Sequence, residues 1–187
     1  VRNSEGVPTC TCGGRIKPDV VLYEEGLDDR TIQKSIDYIR NADMLIIGGT
    51  SLVVYPAAGL IDYYRGNKLV LINKSETSRD SLADLIITDW SGIAYEYAFT
   101  TLRPVLYINT PMKIMNPEYE KIGVVPINIF MRDSIGCSLN LDQLDRVADE
   151  ATRLIEQRDL YHDKIDAFVK QYVYHLGTSA KVGANYI

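Results

Sequence analysis

Apolar positions in this chain fall into short unbroken runs rather than alternating with polar ones. Residues 20–23, 44–47, 68–72, 85–88 and 104–108 are such runs, rich in β-branched side chains. Runs of this kind suit strands buried on both faces, as in a parallel sheet. Between them the period changes to that of a helix. Residues 31–41 place Ile32, Ile36 and Ile39 on one face, with Asp28 or Asp29 ahead to cap the first turn. Residues 56–65 open on Pro56 and reach Gly66 just past their end, and residues 91–101 form a third helical stretch. Strands alternating with helices predict an α/β, Rossmann-like fold with a mostly parallel sheet of about five strands.

Beyond Asn109 the pattern loosens. Residues 110–139 carry Pro111, Pro117, Gly123 and Pro126, and read as loop with a short helix over 117–122. Residues 141–157 then align Leu144, Val147, Ala148, Ala151, Leu154 and Ile155 on one helical face. Residues 160–174 form a second such helix, and the chain from Gly177 reads as a loose tail. These segments predict a helical C-terminal appendage to the sheet.

Composition narrows the class of function. The 187 residues are 46% apolar and 24% charged, as expected of one globular domain or one and a fragment. The net charge of −5 is spread over both halves with no basic patch, which argues against nucleic acid as a partner. No apolar run has the length of a membrane span and no signal peptide opens the sequence, so the expected compartment is the cytoplasm. Three cysteines, Cys10, Cys12 and Cys137, make no disulfide framework and fit a reducing environment. The histidines are His162 and His175, among Tyr161, Tyr172 and Tyr174, where packing or surface roles are expected. Chemistry that needs a histidine base in the first 160 residues is excluded.

Candidate chemistry begins at Met44-Leu45-Ile46-Ile47-Gly48-Gly49-Thr50-Ser51, a strand running into a glycine turn with two hydroxyls. At the C-terminal end of a parallel strand, bare glycine backbone lets a nucleotide approach while N–H and hydroxyl groups hold phosphate or ribose. A tight turn accounts for the same glycines. Asn73, ending the next strand, is placed to bind a ribose hydroxyl or to cap a turn. Cys10 and Cys12, in the turn Pro8-Thr9-Cys10-Thr11-Cys12-Gly13-Gly14, are either half of a tetrahedral zinc site or two free thiols.

In order, Cys-x-Cys-Gly-Gly, Ile16-Lys17-Pro18-Asp19-Val20-Val21-Leu22-Tyr23-Glu24-Glu25, Gly49-Thr50-Ser51-Leu52-Val53-Val54-Tyr55-Pro56-Ala57 and Ile72-Asn73-Lys74 resemble bacterial sirtuins, which are NAD-dependent protein deacylases. The resemblance covers about residues 7–87. It implies that Gly49, Thr50, Ser51, Asn73 and Lys74 contact NAD. It also implies that Val20, Val21, Leu22 and Tyr23 pair as a strand with an acyl-lysine peptide. Cys10 and Cys12 correspond to one zinc pair, with one intervening residue where two are common. The family's Gly-Ala-Gly loop, nicotinamide-side Asn and Asp, catalytic His and first Cys pair fall ahead of Val1 in this alignment. On that basis these residues alone are expected to be inactive.

A second resemblance follows. Leu85-Ile86-Ile87-Thr88-Asp89-Trp90-Ser91-Gly92-Ile93-Ala94-Tyr95-Glu96, continuing into Arg103-Pro104-Val105-Leu106-Tyr107, is similar to the C-terminal half of the CDP-glycerol glycerophosphotransferases of teichoic-acid synthesis. It carries Trp90 for Tyr, Gly92 for a second Ser and Glu96 for Asp. It covers about residues 83–175, and implies that Thr88, Ser91, Gly92 and Glu96 face a CDP-linked donor, with peripheral membrane association. Asp89 or Ser91 as a helix cap and Glu96 as a solvated side chain account for the same residues. The sequence therefore predicts two halves, 1–87 and 88–187, sharing one sheet, as in a natural fusion, an assembly artefact or a designed chimera. Three functions stand: the NAD-binding part of a deacylase, a fragment binding a CDP-linked donor, or an inert chimera with no ligand.

Overall fold

The computed structural model describes residues 5–18, 20, 21, 25–112 and 118–186. Two compact units have the bounds Val1–Tyr38 and Ile39–Ile187. In the first, an antiparallel bridge joins Thr9 to Arg15 across the turn that carries both N-terminal cysteines. Cys10 and Cys12 are joined as a disulfide. Helix α1 (Asp29–Arg40) starts where Asp28 accepts hydrogen bonds from the Thr31 N–H (3.0 Å) and hydroxyl (2.6 Å). This is the cap that the sequence required. Those bonds, the hydroxyl's first, hold the Asp28 carboxyl below its ordinary pKa.

The second unit is built on five strands: β1 (Leu45–Gly48), β2 (Leu69–Ile72), β3 (Leu85–Thr88), β4 (Val105–Asn109) and β5 (Gly136–Asn140). They lie side by side in chain order and every pairing is parallel. The α/β, Rossmann-like class expected from the apolar runs is the one observed. Residues 87 and 88 lie together inside β3, the central strand, so the sheet runs unbroken through both halves of the sequence.

The membership of the sheet differs from expectation in one strand. Val20 and Val21 are exposed and in no strand, while Leu22 and Tyr23 lie outside the described residues. The fifth strand is instead β5, within the stretch read as loop. Its first residue explains the pairing. A Cβ at Gly136 would land on the Val105 backbone carbonyl, so only glycine lets β5 approach β4 this closely.

Helices cover the sheet on both faces. Val105 and Tyr107 point to one face, where α4 (Arg132–Ile135), which follows the short α3 (Ile127–Phe130), lies against β4 and is covered by α6 (Arg158–Tyr172). Helix α2 (Ile93–Thr101) follows β3 and also meets α6. Leu106 and Cys137 point to the other face, where α5 (Val147–Glu156) packs on β3, β4 and β5. Coverage of both faces is why β3 and the first part of β4 read as unbroken apolar runs. Leu154 and Ile165 are wholly buried, so α5 and α6 belong to the core rather than hanging from it. Phe99, Phe130, Phe168 and Tyr172 form one aromatic cluster between these helices, with ring centroids 4.4–6.1 Å apart.

Two expected helices change form. Residues 56–65 form a 3-10 helix, Ala57–Tyr63, and residues 141–146 a second one ahead of α5. The expected loose tail contains a short helix, Ser179–Ala184. No helix among the described residues is long and apolar enough to cross a membrane.

Gly136→Ala tests the close approach of β5. It is expected to lower stability by about 3 kcal/mol in a urea melt, because backbone cannot yield as a flexible side chain can.

Candidate functional site

In open parallel α/β sheets, ligands collect beyond the C-terminal ends of the strands. After β1 the chain turns at Gly49, whose φ of +65° is left-handed. Its N–H donates to the Ile72 carbonyl at 2.9 Å, and no atom lies within 4 Å of where a Cβ would stand. The backbone here is bare and open, a place where a phosphate or ribose can come close. Leu52 takes the next left-handed position (φ 53°), stabilised by its N–H donating to the Thr50 hydroxyl at 3.2 Å. That geometry turns Leu52 inward and leaves Thr50 and Ser51 in solvent.

The turn after β2 is tied to the turn after β1. Asn73 Nδ2 donates to the Thr50 carbonyl at 2.9 Å, and the Asn73 N–H to the Ile87 carbonyl at 3.3 Å. One amide hydrogen and the Oδ1 acceptor of Asn73 remain for a ligand. Lys74 is exposed beside it. Gly49, Thr50, Ser51, Asn73 and Lys74 are thus brought to one edge, as the sequence expected. Below this edge lies an apolar pocket of about 210 Å³, lined by Leu45, Ile47, Leu52, Val54, Ala58 and Ile61 among others.

The turn after β3 is arranged otherwise than expected. The Ser91 hydroxyl donates to the Lys74 carbonyl at 2.7 Å, across the sheet edge. Thr88 faces inward beside Tyr107, its register partner on β4, and both hydroxyls are buried with no hydrogen-bond partner among the described residues. The Thr88 and Ser91 hydroxyls therefore face different surroundings rather than one spot. Gly92 and Glu96 are exposed at the start of α2.

Sequence reasoning missed the group that organises this end of the sheet. Arg132 is only 4% exposed and forms no ion pair among the described residues. Its guanidinium sits between the rings of Trp90 (3.9 Å) and Tyr107 (4.1 Å). Nη1 donates to the Asp89 carbonyl at 3.2 Å and Nη2 to Asn109 Oδ1 at 2.8 Å. Asn109 Nδ2 in turn donates to Asn140 Oδ1, and Trp90 Nε1 to the Thr110 carbonyl. Burial pulls the Arg132 pKa down, and burial pushes those of Tyr95 and Tyr107 up. The visible cue was a cation directly after the apolar run Ile129-Phe130-Met131.

The cysteine turn does not fit a zinc ion. Both sulfurs are bonded to each other, so neither is a thiolate ligand, and no cluster of three or more His, Cys, Asp or Glu able to hold a metal occurs among the described residues. The expectation of free thiols or half a metal site at Cys10 and Cys12 is thereby replaced by a disulfide. The nucleotide edge does fit a dinucleotide: open backbone, hydroxyls, an amide with spare valence and a lysine ammonium. These groups bind and orient. They include no paired nucleophile and base.

Residues 1–56 match the model of the Sir2 family. An NAD-dependent protein deacetylase of Clostridium perfringens is 68% identical over 94 residues, which are 49% of this chain and 38% of that protein. One from Clostridium acetobutylicum is 61% identical over 97 residues, 51% of this chain and 40% of its own. Among solved structures, Sir2 bound to acetylated peptide is 39% identical over 46% of this chain and 37% of its own, with a TM-score of 0.40. Sir2 with a p53 peptide and NAD+ gives the same values. The chain spans 38–40% of the length of the two clostridial relatives.

Thr88→Val tests the buried hydroxyl. Removing an unpartnered polar group while keeping its shape is expected to raise stability by about 1 kcal/mol, read as a higher denaturation midpoint.

Proposed function

We propose that this chain forms the dinucleotide-holding part of an NAD-dependent protein-lysine deacylase. The observation that carries the reading is the tie between two turns, Asn73 Nδ2 to the Thr50 carbonyl, beside the open backbone of Gly49. The 68% identity to an NAD-dependent protein deacetylase over 94 residues, and the match of residues 1–56 to the Sir2 family model, support it. The same reading places the protein in the cytoplasm.

Each residue has a role that its geometry permits. Gly49 leaves room for a phosphate or ribose to approach the main chain. Thr50 and Ser51 offer exposed hydroxyls, and Lys74 an ammonium that offsets phosphate charge. Asn73 Oδ1 accepts from a ribose hydroxyl while its amide nitrogen stays on Thr50. NAD, when bound, supplies the reactive bond between ribose and nicotinamide. Val20, Val21, Leu22 and Tyr23 are the segment assigned to the acyl-lysine peptide, and the exposure of Val20 and Val21 leaves them open to such pairing. The histidines are on α6 and just beyond it, so these residues by themselves are expected to bind nucleotide without deacylating.

Calorimetric titration with NAD, ADP-ribose and CDP-glycerol tests the reading. NAD and ADP-ribose are expected to bind and CDP-glycerol to stay silent. Binding of CDP-glycerol alone would favour the donor site at Thr88, Ser91, Gly92 and Glu96, and silence for all three would leave an inert chain. Asn73→Ala is expected to weaken ADP-ribose by about tenfold, equivalent to about 1.4 kcal/mol. Unchanged affinity in that variant would remove Asn73 from the site.

A further inference from the structure

We infer that Ser91 is a positioning residue for the dinucleotide edge, acting from the turn after β3 on the turn after β2. The inference rests on the reading above and adds a residue outside the stretch matched by the family model.

Ser91 precedes helix α2, where a serine ordinarily caps the first turn. Here it does not: among the described residues no side chain caps α2, and the Ser91 hydroxyl donates to the Lys74 carbonyl, 17 residues back in the chain. The hydroxyl is thus spent on joining two turns. Lys74 follows Asn73 directly; its carbonyl belongs to the Lys74–Ser75 peptide, so the bond pins the chain one residue beyond Asn73 and limits how far the Asn73 turn can swing. Asn73 in turn is held at its main-chain N–H by the Ile87 carbonyl and at its side chain by the Thr50 carbonyl. Three consecutive strand ends are therefore linked through Thr50, Asn73, Lys74 and Ser91.

The support behind Ser91 is rigid. Its neighbour Trp90 donates to the Thr110 carbonyl at 2.7 Å and stacks on Arg132, and Arg132 donates to the Asp89 carbonyl at 3.2 Å. The turn 89–91 is held by β4 and α4 on one side. Ser91 transfers that rigidity to the exposed turn at Lys74. A ligand that needs Asn73 in one orientation then finds it already ordered, which lowers the entropy lost on binding.

The test uses the full chain and two variants, Ser91→Ala and Ser91→Thr. Two quantities are read: ADP-ribose affinity by calorimetry, and hydrogen exchange of the Asn73 amide in the absence of ligand. Ser91→Ala is expected to weaken ADP-ribose by about fivefold, the worth of one neutral hydrogen bond, and to speed Asn73 exchange. Ser91→Thr keeps the hydroxyl and is expected to restore both. If Ser91→Ala leaves affinity and exchange at wild-type values, the positioning role is overturned while the nucleotide site stands. If Ser91→Thr fails to rescue, the hydroxyl is not the cause and the role is also overturned. A wild-type chain that binds no ADP-ribose overturns the site itself, and the positioning role with it.

Discussion

Arg132 gives up almost all of its hydration on folding, and no carboxylate among the described residues forms an ion pair with it. A buried cation of this kind persists only where dipoles and polarisable faces replace water. Two aromatic rings, one main-chain carbonyl and one amide oxygen do so here. Asp89, Trp90 and Asn109 end a strand or start the turn after it, and Tyr107 lies inside β4. Satisfying one guanidinium therefore fixes the exits of β3 and β4, and through Asn109 and Asn140 the exit of β5 as well.

The exits of β1 and β2 are held by different means. There the bonds run between exposed turns, from Asn73 to Thr50 and from Ser91 to Lys74, with solvent on one side. The contrast matches what each half of the edge is suited to do. Bonds around Arg132 are buried and leave little polar surface for a ligand. Bonds around Asn73 are partly open and leave hydroxyl, amide and ammonium groups unspent. Rigidity arises in the buried half and is used in the exposed half, with Ser91 at the boundary.

The sheet itself shows the same gradient. β3 is buried along its whole length, whereas Ile46 of β1 is 57% exposed and Ile72 of β2 is also exposed. Large apolar side chains on an edge strand and its neighbour are unusual for a free surface. The apolar pocket beneath Leu52 lies at this same end of the sheet. Stability is therefore concentrated in β3, β4, β5 and the helices packed on them, at a distance from the open glycine turn.

Much of this was legible in the amino-acid sequence. Unbroken apolar runs identified β1 to β4: β3 is covered on both faces and has no polar side to show, while β1 keeps an apolar run although Ile46 is exposed. The glycine turn and Asn73 were legible because close approach and a spare amide are properties of single residues. Asp28 as a cap was legible for the same reason. Other features depended on partners distant in the chain. β5 has no run of its own and exists because Gly136 fits against the Val105 carbonyl. Arg132 became central only when Trp90 and Tyr107, far away in sequence, closed on its two faces. Ser91 read as a helix cap or phosphate ligand, and the tertiary structure turned it to Lys74 by bringing two strand ends within one hydrogen bond. Local chemistry determined what each turn offers; the packing of non-adjacent strands decided which groups were already spent.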